Sequence, residues 1–372
     1  MSRDCGLFYD GRRRDTSAQE RWGLLDIAMA TFGPIRVDGR GEGKNRAPRN
    51  RTLTATPVEL EQLRTRLLRP AEVSGNNFVG RTILGDCFEV FDKLPRRAID
   101  LLILDPPYNL SKQFGENTFS RVSTDEYTNW LRKLFQAVKA LLKTTATVYI
   151  CGEWLSSVSI FTAAAEFFKV RNRITWEREK GRGALTNWKN SSEDIWFCTV
   201  SDSYTFNVDH VKLRRRVIAP YRENGQPKDW VETENGNFRD THPSNLWTDI
   251  TVPFWSMPEN TDHPTQKSEK LIAKLVLASS NPGDVVFDPF LGSGTSSVAA
   301  KKLDRLFCGI EIEESYALLA EKRLALADGD RSIQGYQDHV FWERNTLNLM
   351  ASAKRERGAR SGELRLSFDE LS

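Results

Sequence analysis

Residues 285–311 carry one unbroken pattern: a short apolar run, Val285–Phe287, a glycine turn, Asp288–Thr295, a helical stretch, Ser296–Leu303, and a second apolar run, Leu306–Ile310, closed by Glu311. Strand, turn, helix and strand in that order predict a parallel pair joined by a crossover helix, and therefore an α/β sheet. Gly292 and Gly294 let backbone approach a ligand closely, and the N–H groups at the helix start favour a carboxylate or phosphate. Glu311 stands about twenty residues beyond the turn, where an acidic residue reaches a ribose diol in nucleoside-binding βαβ units. The pattern predicts a nucleoside-containing cofactor. A phosphate-loop ATPase is excluded, because Gly292-Ser293-Gly294-Thr295 lacks the lysine of the GxxxxGK[ST] loop.

The same alternation begins at Arg81. Arg81–Leu84 reads as a strand, Gly85-Asp86-Cys87 as its exit turn, Phe88–Leu94 as a short helix and Ile99–Leu104 as a buried strand. That strand runs into Asp105-Pro106-Pro107-Tyr108, whose prolines forbid helical continuation. Ligands of α/β sheets bind beyond the carboxyl ends of the strands. A carboxylate, two residues without N–H donors and an aromatic face there suit a flat amine-bearing ring. Taken alone, the tetrapeptide has a lesser competing reading, a polyproline turn with a packing tyrosine. A polar loop, Asn109–Ser123, leads to an amphipathic helix over 125–143, with Tyr127, Trp130, Leu131, Leu134, Val138 and Leu141 at helical spacing. A strand, Thr147–Gly152, a helix, Leu155–Phe168, and a strand, Val170–Trp176, follow.

From Glu177 to Asp262 the alternation fails. Aromatic residues interleave with Lys180, Arg182, Asn187 and Lys189, and later with the run Lys212–Arg216, which contains Arg214 and Arg215. Such chemistry serves base-edge and phosphate recognition, while a structural insertion with solvated charges is the competing reading. A strand-like piece, Ile195–Val200, rejoins the sheet. Regularity returns at His263-Pro264-Thr265-Gln266-Lys267, ahead of an amphipathic helix, Leu271–Ser279, and a last helix spans Ser315–Ala327. The chain thus divides into a glycine-rich, charged appendage over 1–75, partly disordered and with short helices at Arg21–Phe32 and from Thr56; two α/β halves, 76–176 and 263–327; the insertion, 177–262; and a charged tail, 328–372.

With 39% hydrophobic residues the chain can bury a sizeable core, and a net charge of +3 leaves any nucleic-acid surface to local clustering. Five cysteines without a CxxC pair indicate neither a zinc site nor a disulfide framework, and their odd number points to a reducing compartment. Met1–Cys5 opens no apolar signal core, and no apolar stretch is long enough to span a bilayer. A cytoplasmic protein is expected.

Asp105-Pro106-Pro107-Tyr108 together with Asp288-Pro289-Phe290-Leu291-Gly292-Ser293-Gly294-Thr295 resembles the amino-methylating DNA methyltransferases that use S-adenosylmethionine. The order of the motifs, catalytic first and cofactor second with a recognition region between, resembles the β-class. The likeness covers residues 80–327 and includes His263-Pro264-Thr265-Gln266-Lys267. It implies a Rossmann-like α/β sheet, circularly permuted, with the insertion as target-recognition region. By this resemblance Asp105, Pro106, Pro107 and Tyr108 are catalytic. Asp288, Phe290, Gly292 and Thr295 line the methionine end of the cofactor, Glu311 its ribose, and Asp86 with Cys87 its adenine edge; Pro289, Ser293 and Gly294 are also cofactor-binding, and Thr265-Gln266-Lys267 closes over the cofactor. Lys180, Arg182, Asn187, Lys189, Arg214 and Arg215 are the DNA-binding candidates. Asp86 has a second reading, as a cap for the following helix. The chain departs from the family at Ser268, where proline is usual, and at Ser191-Ser192-Glu193-Asp194, which lacks a histidine often found there.

The chemistry implied is methylation of an exocyclic base amine, whose lone pair is delocalised into the ring. The Asp105 carboxylate and the Pro106 carbonyl would accept the amine hydrogens and aim the lone pair at the methyl donor, while Tyr108 stacks on a base flipped out of the duplex. No cysteine nucleophile is needed, which argues against methylation of a cytosine ring carbon. An initial Asp is more usual for adenine N6. Cytosine N4 is the alternative within the class, and a non-catalytic DNA-binding protein on the same scaffold the alternative outside it. A weaker third reading is methylation of a protein glutamine. Double-stranded DNA is the implied partner, with a cognate restriction endonuclease as a further one; the oligomeric state, a dimer among the options, is not legible.

Overall fold

The computed structural model describes residues 47–110, 112–114, 117–119, 121–178, 185–217, 221–233 and 236–344. Eight strands form one sheet: β1 (Arg81–Leu84), β2 (Ile99–Leu104), β3 (Leu142–Gly152), β4 (Lys169–Glu177), β5 (Ser192–Thr199), β6 (Leu246–Trp247), β7 (Val285–Asp288) and β8 (Leu306–Glu311). They lie in the order β1-β8-β7-β2-β3-β5-β4-β6. The five from β1 to β3 are parallel neighbours, β5 runs against both β3 and β4, and β6 is parallel to β4. The central strands read as apolar runs because both of their faces are covered. Leu102, Leu104, Val148 and Phe287 pack on one side against α3 (Thr124–Lys139) and α4 (Ser157–Phe167). Leu101, Ile103, Tyr149 and Val286 pack on the other against α5 (Glu269–Ser279) and α6 (Thr295–Lys302).

The connections place the functional crevice. β7 continues through α6 to β8 on one side, whereas β2 continues through α3 to β3 on the other, and β7 and β2 are themselves paired. The carboxyl ends of β7 and β2 therefore flank a topological switch point, the place where open α/β sheets bind ligands. β1, the first strand in sequence, joins the edge beside β8, the last, and this is the permuted order expected.

Several boundaries differ from those read off the sequence. The helix expected over 125–143 ends at Lys139 and β3 starts at Leu142, because Thr144, Thr145 and Thr147 favour extended backbone. The loop after Tyr108 contains a small hairpin, Lys112–Phe114 against Asn117–Phe119. Of the appendage expected over 1–75, residues 56–68 belong to the main body. Thr56 and Glu59 form a capping box at the start of α1 (Pro57–Arg64), Leu63 and Leu67 pack on Ala317 and Leu318 of α7 (Glu314–Gly329), and Leu68 bridges Ile83. The helix expected at Arg21–Phe32 lies outside the described residues. The tail expected from 328 is not separate throughout either. Tyr336–Gln337 and Val340–Trp342 complete a five-stranded sheet with Leu213–Arg216, Val231–Thr233 and Gly236–Thr241, joining the insertion to the segment after α7. Among the described residues no helix is long and apolar enough to cross a membrane.

Candidate active site

β2 delivers Asp105 to the crevice, and Pro106 and Pro107 turn the chain away from the sheet. The turn is held from α3, where Tyr127 Oη donates to the Pro107 carbonyl at 3.0 Å and Tyr127 stacks on Trp130. Tyr108 folds back so that its phenol lies 2.9 Å from Asp105 Oδ1 and 2.6 Å from Glu193 Oε1, and its single hydrogen can serve only one of them. Lys267 Nζ donates to Asp105 Oδ2 at 2.7 Å, to Tyr108 Oη at 3.2 Å and to Glu193 Oε1 at 3.4 Å. Arg178 Nη1 is 3.3 Å from the same Glu193 oxygen. Two carboxylates, one phenol and two cations thus share one small volume. Glu193 is 4% exposed and Lys267 8%, so the ion pair is shielded from water, whereas Asp105 retains 23% exposure towards the crevice. Burial opposes the Lys267 ammonium, but Asp105 and Glu193 outweigh it and hold its pKa above the usual lysine range. Burial, reinforced by Asp105 and Glu193, raises the Tyr108 phenol well above the usual range and keeps it protonated.

β7 ends in a different kind of construction. Asp288 is buried and both its oxygens are engaged: Phe290 N donates at 2.9 Å and Ser296 Oγ at 2.5 Å, which fixes the turn to the first turn of α6. Gly292 and Gly294 have φ of +56° and +87°. A Cβ on Gly294 would lie 2.6 Å from Ala320 Cβ and 2.8 Å from Ala320 Cα, so only glycine lets the turn lie this close to α7. Glu311, at the end of β8, accepts from Gly292 N at 2.7 Å and from Glu313 N at 2.8 Å. Burial pushes both Asp288 and Glu311 up to about 7. Behind the turn, Arg323 of α7 donates to the Ser293 carbonyl at 2.9 Å, to Thr295 Oγ1 at 3.0 Å and to Glu269 Oε1 at 2.9 Å. Thr295 Oγ1 in turn donates to the Lys267 carbonyl at 3.1 Å, which links the turn to the Asp105 cluster.

The expected residues mostly converge, with some reassigned. Asp105, Pro106, Pro107 and Tyr108 gather at one strand end; Asp288, Pro289, Phe290, Gly292, Ser293, Gly294, Thr295 and Glu311 gather at its neighbours. Phe290 meets Trp130 at 6.2 Å, so α3 touches both groups. Asp86 caps α2 (Cys87–Phe91), accepting from Phe88 N at 2.8 Å, and is exposed at the end of β1, beside Glu311 in the sheet. Cys87 is buried in the core, where burial raises its thiol pKa. The Thr265-Gln266-Lys267 segment does not act as one unit. Thr265 is half-buried; Gln266 braces the preceding loop through Thr261 and the Glu259 carbonyl; Lys267 turns to Asp105. Ser268 caps α5 by accepting from Lys270 N, a substitute for the proline usual at a helix start. Glu193, Arg178 and Arg323 escape sequence reasoning. For Glu193 the signal was an acidic residue opening an otherwise apolar strand.

The DNA-binding candidates are dispersed. Lys180 and Arg182 lie outside the described residues. Asn187 and Lys189 are exposed on the segment entering β5, next to Trp188, which is 94% exposed. Arg214 is committed to Asp240 by two bonds of 2.7 Å and lies over the Trp342 ring, and Arg215 faces Glu343 at 3.6 Å, so these two brace the five-stranded sheet.

Against known proteins, a sequence family described as DNA methylase matches residues 99–322. The chain is 32% identical over 257 residues to the DNA adenine methyltransferase YhdJ of Escherichia coli K12, covering 66% of this chain and 83% of that protein. It is 31% identical over 247 residues to the type II methyltransferase M.HpaI of Haemophilus parainfluenzae, covering 66% and 74%. Among solved structures, the cytosine-N4-specific PvuII DNA methyltransferase has a similar fold, with a TM-score of 0.50 and 14% identity over 68% of this chain and 92% of that one. The extent of the family match and of the YhdJ likeness, on a sheet of this topology, shows that the chain belongs to the DNA methylase family.

Proposed function

We propose that the protein transfers a methyl group from S-adenosylmethionine to the exocyclic N6 amine of an adenine flipped out of duplex DNA. The observation that carries this reading is the pairing of two strand ends across the switch point: Asp105 and Tyr108 on β2, and the glycine turn with Glu311 on β7 and β8. The turn fits a nucleoside-containing cofactor. Its glycines hold backbone where a side chain would collide, and Glu311 is a buried carboxylate fixed by two backbone N–H groups with lone pairs left for a diol. When bound, S-adenosylmethionine supplies a methyl group on a sulfonium. Gly292, Gly294 and Thr295 would hold its methionine end and Glu311 its ribose.

The chain's own residues do the rest. Asp105 and the Pro106 carbonyl accept the two amine hydrogens, which draws charge towards nitrogen and orients its lone pair. Tyr108, anchored through its hydroxyl, offers its ring to the flipped base at a cost of a few kcal/mol in unstacking. Buried thiols such as Cys151 and Cys198 have pKa values raised by burial and are poor nucleophiles, in keeping with transfer to an amine. Adenine is favoured by the DNA adenine methyltransferase at 32% identity and by the initial Asp of the tetrapeptide.

The insertion, 177–262, would read the DNA sequence through surface such as the exposed segment Leu185–Lys189, and the type II name of the M.HpaI relative supports a place beside a restriction endonuclease, which we set in the cytoplasm. Incubation with S-adenosylmethionine tritiated at the methyl group and unmethylated duplex DNA, followed by nucleoside separation, tests the reading. Label in N6-methyldeoxyadenosine is expected; label in N4-methyldeoxycytidine would contradict the choice of base.

A further inference from the structure

Asp105 is crowded in a way that the proposed function leaves open. The carboxylate that must accept an amine hydrogen already accepts one from Lys267 at 2.7 Å and sits 2.9 Å from the Tyr108 phenol. Asp105 has lone pairs left, as Glu311 does, but an amine arriving at Oδ2 would compete there with an ammonium held by one of the stronger hydrogen bonds a protein makes. The ammonium has little access to water, since the Lys267 side chain is 8% exposed. Glu193 Oε1 lies 3.4 Å from the same Nζ, so a small movement towards it strengthens that bond at the expense of the one to Asp105.

Resting on the function proposed above, we propose that Lys267 is an exchangeable counter-ion: it occupies the amine's position on Asp105 in the resting enzyme and moves onto Glu193 when the base enters. Glu193 is then a positioning residue with two tasks, to anchor the Tyr108 hydroxyl and to receive Lys267. Arg178 neutralises Glu193 in the resting enzyme, so the cluster carries no net charge there. The other titratable groups around Asp105 are Tyr108 after β2, Tyr127 of α3, Cys151 of β3 and Asp288 of β7. All three of Tyr127, Tyr108 and Cys151 are held protonated by burial and leave Lys267 and Arg178 as the balance for Asp105 and Glu193. Without Lys267, Asp105 and Glu193 have one phenol and one guanidinium between them.

The test is the pH profile of methyl transfer to enzymatically amplified, hence unmethylated, host genomic DNA by wild type, Lys267→Met, Lys267→Arg and Glu193→Gln. For Lys267→Met, the acid limb of kcat/KM is expected to move up by about one pH unit or more, giving a loss of about tenfold below the limb that recovers at higher pH. Lys267→Arg keeps the positive charge and is expected to keep the wild-type limb. A uniform loss across all pH values in Lys267→Met, with the limb unmoved, would overturn the counter-ion assignment. Glu193→Gln removes the destination without removing the lysine, so KM for DNA should rise about tenfold while S-adenosylmethionine binding is unchanged; an unchanged KM would overturn the exchange. Failure of the wild type to methylate any base sinks the function itself, and with it this inference, and is told apart by appearing in every protein of the set.

Discussion

The two strand ends that flank the crevice are built on opposite plans. At the ends of β7 and β8 each carboxylate oxygen has one settled partner: Asp288 holds Phe290 N and Ser296, Glu311 holds Gly292 N and Glu313 N, and Arg323 ties the turn to α5. At the end of β2 the partners compete, with one phenol between two carboxylates and one ammonium shared by both and by the phenol. The first arrangement suits a ligand bound the same way in every turnover, the second an amine that arrives, loses a hydrogen and leaves. Preorganised backbone serves binding, and exchangeable side-chain bonds serve chemistry.

The contrast breaks most visibly at Gly294. Gly294→Ala places a Cβ 2.6 Å from Ala320 at a positive φ, so a destabilisation of about 2–4 kcal/mol and loss of S-adenosylmethionine binding are expected, measured by thermal unfolding and calorimetry. A substitution on the chemical side should do the reverse. Tyr108→Phe keeps the ring but removes the hydroxyl between Asp105 and Glu193; transfer should fall about tenfold while cofactor affinity stays within about twofold, read by single-turnover kinetics.

The smallest effect is in stability against pH. Glu311 and Asp288 have folded-state values raised by burial to about 7, so between about pH 5 and 7 the folded protein binds more protons than the unfolded chain. Stability of the ligand-free protein should therefore decline as pH rises through that window. Glu311→Gln removes one of the two groups and should flatten the slope, a difference on the order of 1 kcal/mol in denaturant titrations at the two ends. A slope unchanged by the substitution would mean that Glu311 is not the desolvated carboxylate its burial indicates.

How legible this was depended on the range of the interactions. The strand, glycine turn, helix and acid over 285–311 are local, and their spacing alone announces the cofactor-side fold. Asp105-Pro106-Pro107-Tyr108 is local too, but its partners are not: Glu193 and Lys267 lie 85 and 159 residues from Tyr108 and meet it only because β5 and α5 flank the same crevice. Lys267 was therefore expected with the cofactor, among its sequence neighbours, when its side chain points across the switch point. Arg214 and Arg215 read as free basic residues until Asp240 and Glu343 are brought beside them by a second sheet that no periodicity announces. Thr144 and Thr145 show the same limit on a smaller scale, since a helical pattern running to Lys143 is overruled by β-branched residues that favour the extended backbone of β3.

The division of labour between the two strand ends is tested most directly by Asp105→Ala, assayed in parallel for S-adenosylmethionine affinity and for tritium transfer to DNA. Transfer is predicted to fall by about a thousandfold or more with cofactor affinity retained. Loss of cofactor binding in step with transfer, or transfer that survives the substitution, would contradict the account.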